Sequence, residues 1–163
     1  EYMRLSGYLA QRNDAKIEEQ FDLLKNMRIS AKQKASVGSR GFYYYLEKGK
    51  IKKAEGMLSY GKSYVDEKTF KNMQIQFSIL MKKEAKYIDD CKEILNGMWD
   101  GKSDLDNNKK FPVGTIQYLI GLQYSYLKDI DHMMEYFNPA LENLAGTPYE
   151  EDIRRIMTNL HAG

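Results

Sequence analysis

Cysteine is nearly absent. Cys91 is the only one among 163 residues, so no disulfide can form within the chain. A reducing compartment, the cytoplasm, is the expectation. Histidine is scarce too. His132 and His161 stand apart, and neither has a His, Cys or carboxylate set at ligand spacing, so no metal site is expected. Only 3 prolines and no long Gly/Ser run argue against linkers. No apolar run approaches the roughly 20 residues that a membrane span requires, and no signal peptide is visible. Charge of one sign is also lacking. With 25 basic and 23 acidic residues the net charge is +2, which predicts no strong field toward nucleic acid or anionic membrane. The chain begins at Glu1 rather than Met, as a segment of a longer protein would.

Catalytic signatures are missing as well. No Gly-rich phosphate loop and no Gly-x-Ser-x-Gly occurs. Asp104-Leu105-Asp106-Asn107-Asn108 has the acid spacing of a calcium loop. Lys109 stands where the sharp turn needs Gly, however, and Thr115 where the bidentate Glu is needed. Glu18-Glu19, Asp89-Asp90 and Glu150-Glu151 are helix neighbours pointing about 100° apart, so they cannot flank a substrate. Asp131 is likewise beside His132 without facing it. No enzyme activity, no catalytic residue and no cofactor is expected.

What the chain has in quantity is Tyr (13), Met (9) and helical periodicity. Ala15 to Met27 puts Ile17, Phe21 and Leu24 on one face, with Asp14 as N-cap. A second helix through Phe42 and Leu46 stops near Lys48-Gly49-Lys50, where Gly49 suits the left-handed C-terminal position. Ile51, Ala54, Met57, Leu58 and Gly61 form the next face. Thr69 to Lys86 reads as one helix, and Ile88, Cys91, Ile94 and Leu95 as another starting at Tyr87. Asp100 to Pro112 reads as a loop. Helices follow through Ile116, Leu119, Ile120 and Gln123, and over Asp129 to Leu144. Thr147-Pro148-Tyr149-Glu150 reads as a capping box that opens a last helix. Period-two alternation is absent, so no strands are expected.

The apolar pattern repeats. Ile17, Ala54, Cys91 and Met133 fall at intervals of 37, 37 and 42 residues. Four residues after each come Phe21, Leu58, Leu95 and Phe137; nine before come Tyr8, Tyr45, Lys82 and Tyr124; twelve before come Leu5, Phe42, Ile79 and Gly121. A helix, a tight turn and a second helix, repeated, must stack on neighbours to bury its apolar face. This pattern resembles the tetratricopeptide repeats, helical hairpins of about 34 residues with small and aromatic residues at fixed offsets. Gly121, Tyr124, Phe137 and Ala140 carry the likeness best. Lys82 departs from it, as do the 37-residue period and the missing closing proline.

The resemblance implies an all-α, right-handed stack of about four antiparallel hairpins in a single domain. The hairpins fall at residues 1–28, 31–65, 68–98 and 113–144, with a C-terminal capping helix at 148–161. It also implies a concave groove lined by the first helix of each hairpin. The positions concerned are Ser39, Tyr43, Leu46 and Glu47, then Gln76, Leu80, Lys83 and Glu84, then Tyr118, Leu122, Ser125 and Tyr126. Aromatic and amide side chains there suit an extended peptide. The expected function is a protein- or peptide-binding scaffold, with a peptide-sensing regulatory domain as the alternative. The stack ends offer self-association. The Gly41-Phe42-Tyr43-Tyr44-Tyr45-Leu46 run suits a helix buried on two sides better than a stacking platform for nucleic acid.

Overall fold

The computed structural model describes residues 12–162, and among the described residues every regular element is a helix. In chain order these are α1 (Asp14–Lys25), α2 (Ala31–Glu47), α3 (Ile51–Gly61), α4 (Glu67–Leu80), α5 (Ile88–Met98), α6 (Asn107–Tyr126), α7 (Ile130–Asn143) and α8 (Pro148–Ala162). None of them is long and apolar enough to cross a membrane. Contacts divide the chain into two compact units, Glu1–Phe77 and Ser78–Gly163, and α4 runs from one into the other. The expected first helix around Leu5 and Tyr8, and the side chain of His161, lie outside the described residues.

In the first unit, α2 is opened by a capping box. The Ser30 hydroxyl accepts the Gln33 N–H at 3.2 Å and the Gln33 side chain accepts the Ser30 N–H at 3.0 Å, so two orphan donors of the first turn are satisfied at once. The helix ends in a Schellman turn. Gly49 adopts φ +70°, its N–H donates to Leu46 O, and the Lys50 N–H reaches back to Tyr45 O at 2.9 Å. The chain therefore reverses in two residues and α3 runs antiparallel to α2. A Cβ on Gly38 would lie 2.8 Å from Gly61 Cα, Gly41 faces Met57, and Lys53 Nζ sits 5.5 Å from the Tyr45 ring centroid. α1 lays Ile17, Phe21 and Leu24 into this hairpin, where all three are buried. The Phe21 ring lies 5.8 Å from that of Tyr44 and 5.7 Å from that of Tyr45. Each such side chain contributes about 1.5–3 kcal/mol of burial. Asp14 and Glu18, on the same helix, bind Lys48, Lys50 and Lys53 across the turn.

The second unit repeats the hairpin. α6 ends with Lys128 at φ +57°, its N–H on Ser125 O and the Asp129 N–H on Tyr124 O at 3.0 Å. α7 returns antiparallel: Gly114 faces Leu144, Gly121 faces Phe137, and the Tyr124 ring stacks on His132 at 5.0 Å. Gly121 is required for this approach, because a Cβ there would stand 2.3 Å from Phe137 Cδ1. α5 packs on α6 through Cys91 and the fully buried Gln123. The Gln123 carbonyl oxygen accepts the Tyr87 N–H at 2.8 Å and its amide donates to Leu119 O at 3.2 Å. α8 packs on α6, with Tyr118 bonded to Asp152 and its ring tilted at 60° against that of Tyr149, 5.1 Å away.

The recurrence read in the sequence has a backbone counterpart. Ile17, Ala54, Cys91 and Met133 are each the fourth residue of their helix, and all are buried. Before three of those helices stands the same pair of torsions. Arg12, Gly49 and Lys128 have φ of 52°, 70° and 57°, and are followed by Asn13, Lys50 and Asp129 with φ near −89° and ψ of 90°, 85° and 85°. Tyr87, before α5, breaks the pattern with φ −121° and ψ 23°.

Several expected boundaries are corrected. Asn13, not Asp14, caps α1, its Oδ1 accepting the Lys16 N–H at 3.3 Å. α4 stops at Leu80 instead of running to Lys86, and Lys83 turns left-handed at φ +53°. The Ile79 carbonyl there accepts the Tyr126 hydroxyl at 2.8 Å, and the Glu84 N–H folds back onto Ser78 O. α6 begins at Asn107, inside the segment expected to be a loop, and Pro112 lies within it. As the sixth residue of α6, Pro112 withholds an N–H from the Asn108 carbonyl and crowds that carbonyl with its ring, a cost borne within the second turn of the helix. Thr147 does not form the expected capping box. Its hydroxyl donates to Leu144 O, and Glu150 accepts the Gly146 N–H instead.

Candidate functional site

Within the aromatic run of α2, helical spacing separates inside from outside. Phe42, Tyr44 and Tyr45 are buried, whereas Tyr43 is 39% exposed. The Gln76 amide of α4 donates to the Tyr43 hydroxyl at 3.4 Å. Ser39, one turn earlier, is half-buried, and its hydroxyl donates to Ser36 O at 3.4 Å. Leu46 is half-buried and Glu47 exposed. The sequence-predicted residues of the first unit thus share one outward face of α2, with Gln76 beside it.

At the turn end of α2 lies a polar cleft of about 240 Å³, lined by Arg12, Asp14, Ile17, Tyr44, Glu47 and Lys48. Asp14 accepts from the Tyr44 hydroxyl at 2.8 Å and from Lys48 Nζ at 3.1 Å. These bonds, Tyr44 first, hold its carboxyl below the usual carboxylate range. Burial, with the adjoining Asp14 carboxylate, pushes the Tyr44 phenol far up. Burial also raises the neighbouring Tyr45 to about 12. Two cations and two anions line the cleft, and of these Asp14 and Lys48 form an ion pair.

The positions predicted in the second unit divide differently. Tyr118 is 5% exposed and Leu122 is 4% exposed, so both lie in the core. The Tyr118 phenol is raised by burial and by its bond to Asp152. Tyr126 is half-buried, raised to about 12 by burial, and spends its hydroxyl on the end of α4. Ser125 is half-buried and donates to Leu122 O. Leu80 is half-buried at the last position of α4. Lys83 is exposed and off the helix, and Glu84 is half-buried with Lys86 Nζ at 2.7 Å.

Other groupings were not read from the sequence. Lys92 Nζ lies 5.3 Å from the Tyr124 ring and 5.8 Å from that of Tyr136, over two rings stacked at 6.0 Å. His132 pairs through Nδ1 with the N-cap Asp129 at 2.7 Å. Its partner is three residues back on the chain, one helical turn away, not the adjacent Asp131. Cys91 is buried, and that burial raises its thiol to about 11. Among the described residues no three of His, Cys, Asp and Glu gather to hold a metal ion. No family model, no curated protein and no solved structure matches the chain.

Proposed function

We propose that this chain is a helical-repeat module, akin to the tetratricopeptide repeats, that binds an extended protein segment on the outward face of α2. The stack of hairpins is part of this reading. It draws support from the shared register of Ile17, Ala54, Cys91 and Met133 and from the three turns of like torsion.

The observation that carries the binding reading is Tyr43. Its three aromatic neighbours in the run are buried and it alone is turned outward. A half-immobilised phenol beside an amide offers stacking area and hydrogen bonds at small entropic cost. Ser39 and Leu46 extend the same face by one turn in each direction.

The test is capture from a cell extract on the immobilised chain, compared with Tyr43→Ala. Partners retained by the parent and lost by the variant support this surface. Partners retained equally by both move the interface elsewhere and overturn it. Far-UV circular dichroism on the variant checks that the fold is kept.

A further inference from the structure

The cleft at the turn end of α2 rests on groups that satisfy one another. Ile17 and Tyr44 are buried, and the Tyr44 hydroxyl and Lys48 Nζ both bond Asp14. One turn further along α1, Glu18 holds Lys50 and Lys53. Of the charges that line the cleft, this leaves Arg12 and Glu47. Both are exposed, and among the described residues neither is paired, with the other or with a third group. A guanidinium and a carboxylate thus border one hollow, each without a counter-charge.

Their positions are fixed from below. Arg12 is the left-handed residue two before α1, and Glu47 is the last residue of α2. The bonds from Asp14 to Tyr44 and Lys48 tie the start of α1 to the end of α2. The two free charges are therefore carried on joined ends.

The charge balance restricts what can enter. Arg12 and Lys48 against Asp14 and Glu47 sum to zero. A lone anion would meet two carboxylates, and a lone metal cation would meet a guanidinium and an ammonium. A molecule bearing both charges meets a partner at each end. The volume of about 240 Å³ is the space of roughly eight waters. That holds a free amino acid and falls below the roughly 300–1,000 Å³ of drug-sized ligand sites.

We infer that this cleft binds a free α-amino acid, its carboxylate on Arg12 and its ammonium on Glu47. A planar guanidinium takes a carboxylate through two parallel hydrogen bonds, and a carboxylate accepts readily from the three donors of an ammonium. The site is separate from the face that bears Tyr43 and does not depend on it.

The experiment is titration of the isotope-labelled whole chain, followed by amide NMR. The probes are L-alanine, L-serine and L-glutamine, with propionate and ethylamine as analogues of alanine that lack the ammonium and the carboxylate. Exposed partners predict affinity near ~1 mM, with shifts concentrated at residues 12–18 and 44–50. Propionate and ethylamine should each bind at least about fivefold more weakly than alanine. Arg12→Gln should bring alanine down to the level of ethylamine, and Glu47→Gln to that of propionate. The amide spectrum of each variant shows whether its fold is kept. The site is overturned if no amino acid shifts these residues, or if neither substitution weakens binding. Propionate or ethylamine binding as tightly as alanine overturns the two-charge recognition. A short alanine peptide blocked at one end that binds more tightly than free alanine assigns the cleft to a chain end and overturns the free amino acid.

Discussion

Tyr45 and Tyr124, 79 residues apart, occupy the same place in two hairpins. Each gives its carbonyl to the N–H five residues on, Lys50 in one case and Asp129 in the other, across a left-handed residue. That residue is Gly49 in the first hairpin and Lys128 in the second. A non-glycine residue in this region costs about 1 kcal/mol. Nothing lies within 4 Å of a Cβ on Gly49, so the backbone alone decides the outcome there. Gly49→Ala should destabilise by about 1 kcal/mol, and Lys128→Gly should stabilise by a comparable or smaller amount, both read from urea unfolding. A rise in stability from Gly49→Ala would contradict the turn geometry.

Gly121 and Phe137 form a coupled pair. Gly121→Ala forces a methyl into the Phe137 ring and should cost about 1–3 kcal/mol. Phe137→Leu on its own should also destabilise, because Phe137 is fully buried. The double variant should lose less than the two losses added together, as expected for residues in contact. Strict additivity in a double-mutant cycle would mean that α6 and α7 do not meet here.

Cys91 should be chemically silent in the folded chain. It is buried and its thiol is raised to about 11, so little thiolate exists at neutral pH and little of it can be reached. Reaction with a disulfide reagent should be slow natively and fast in denaturant. Rapid native labelling would show that α5 opens readily from α6.

Acid should loosen α1. Asp14 is held below its ordinary pKa by Tyr44 and then Lys48, and Glu18 by Lys50. A depressed folded-state pKa means that the contribution is present at neutral pH, above the unfolded value, and is lost as pH falls through the folded one. Protease cleavage within α1 should therefore accelerate below about pH 4, where carboxylates titrate. Asp14→Asn with Glu18→Gln should be cut at neutral pH about as fast as the parent in acid, and should respond little to further acidification. An unchanged parent across this range would remove the ion pairs from any role in holding the helix.

Much of the helical order was legible from periodicity. Ile17, Ala54, Cys91 and Met133 mark equivalent buried positions because an apolar stripe at helical spacing must face a neighbour. Gly49 announced its turn through its residue type. The limits of α4 and α6 were not legible, each for its own reason. Tyr126 takes the Ile79 carbonyl from 47 residues away, and no local pattern encodes that bond. Asn107 and Asn108 read as turn residues, yet the first helical turn has free N–H groups that such side chains tolerate. On the candidate face, Tyr43 and Tyr118 looked alike in sequence. One faces outward and the other is sealed by α8 through Asp152 and Tyr149, a difference that only tertiary packing creates.

The paired torsions ahead of α1, α3 and α7 carry a further consequence. Arg12-Asn13, Gly49-Lys50 and Lys128-Asp129 have no residue in common at either position, yet they fold alike. What such a junction conserves is a number, not a spelling. One residue more or fewer would rotate the following helix by about 100° and carry its buried stripe out of the core. These joints can change letter by letter without harm to the phase of the helix beyond them. Lengthening is confined to segments such as 99–106, where no helix depends on the count.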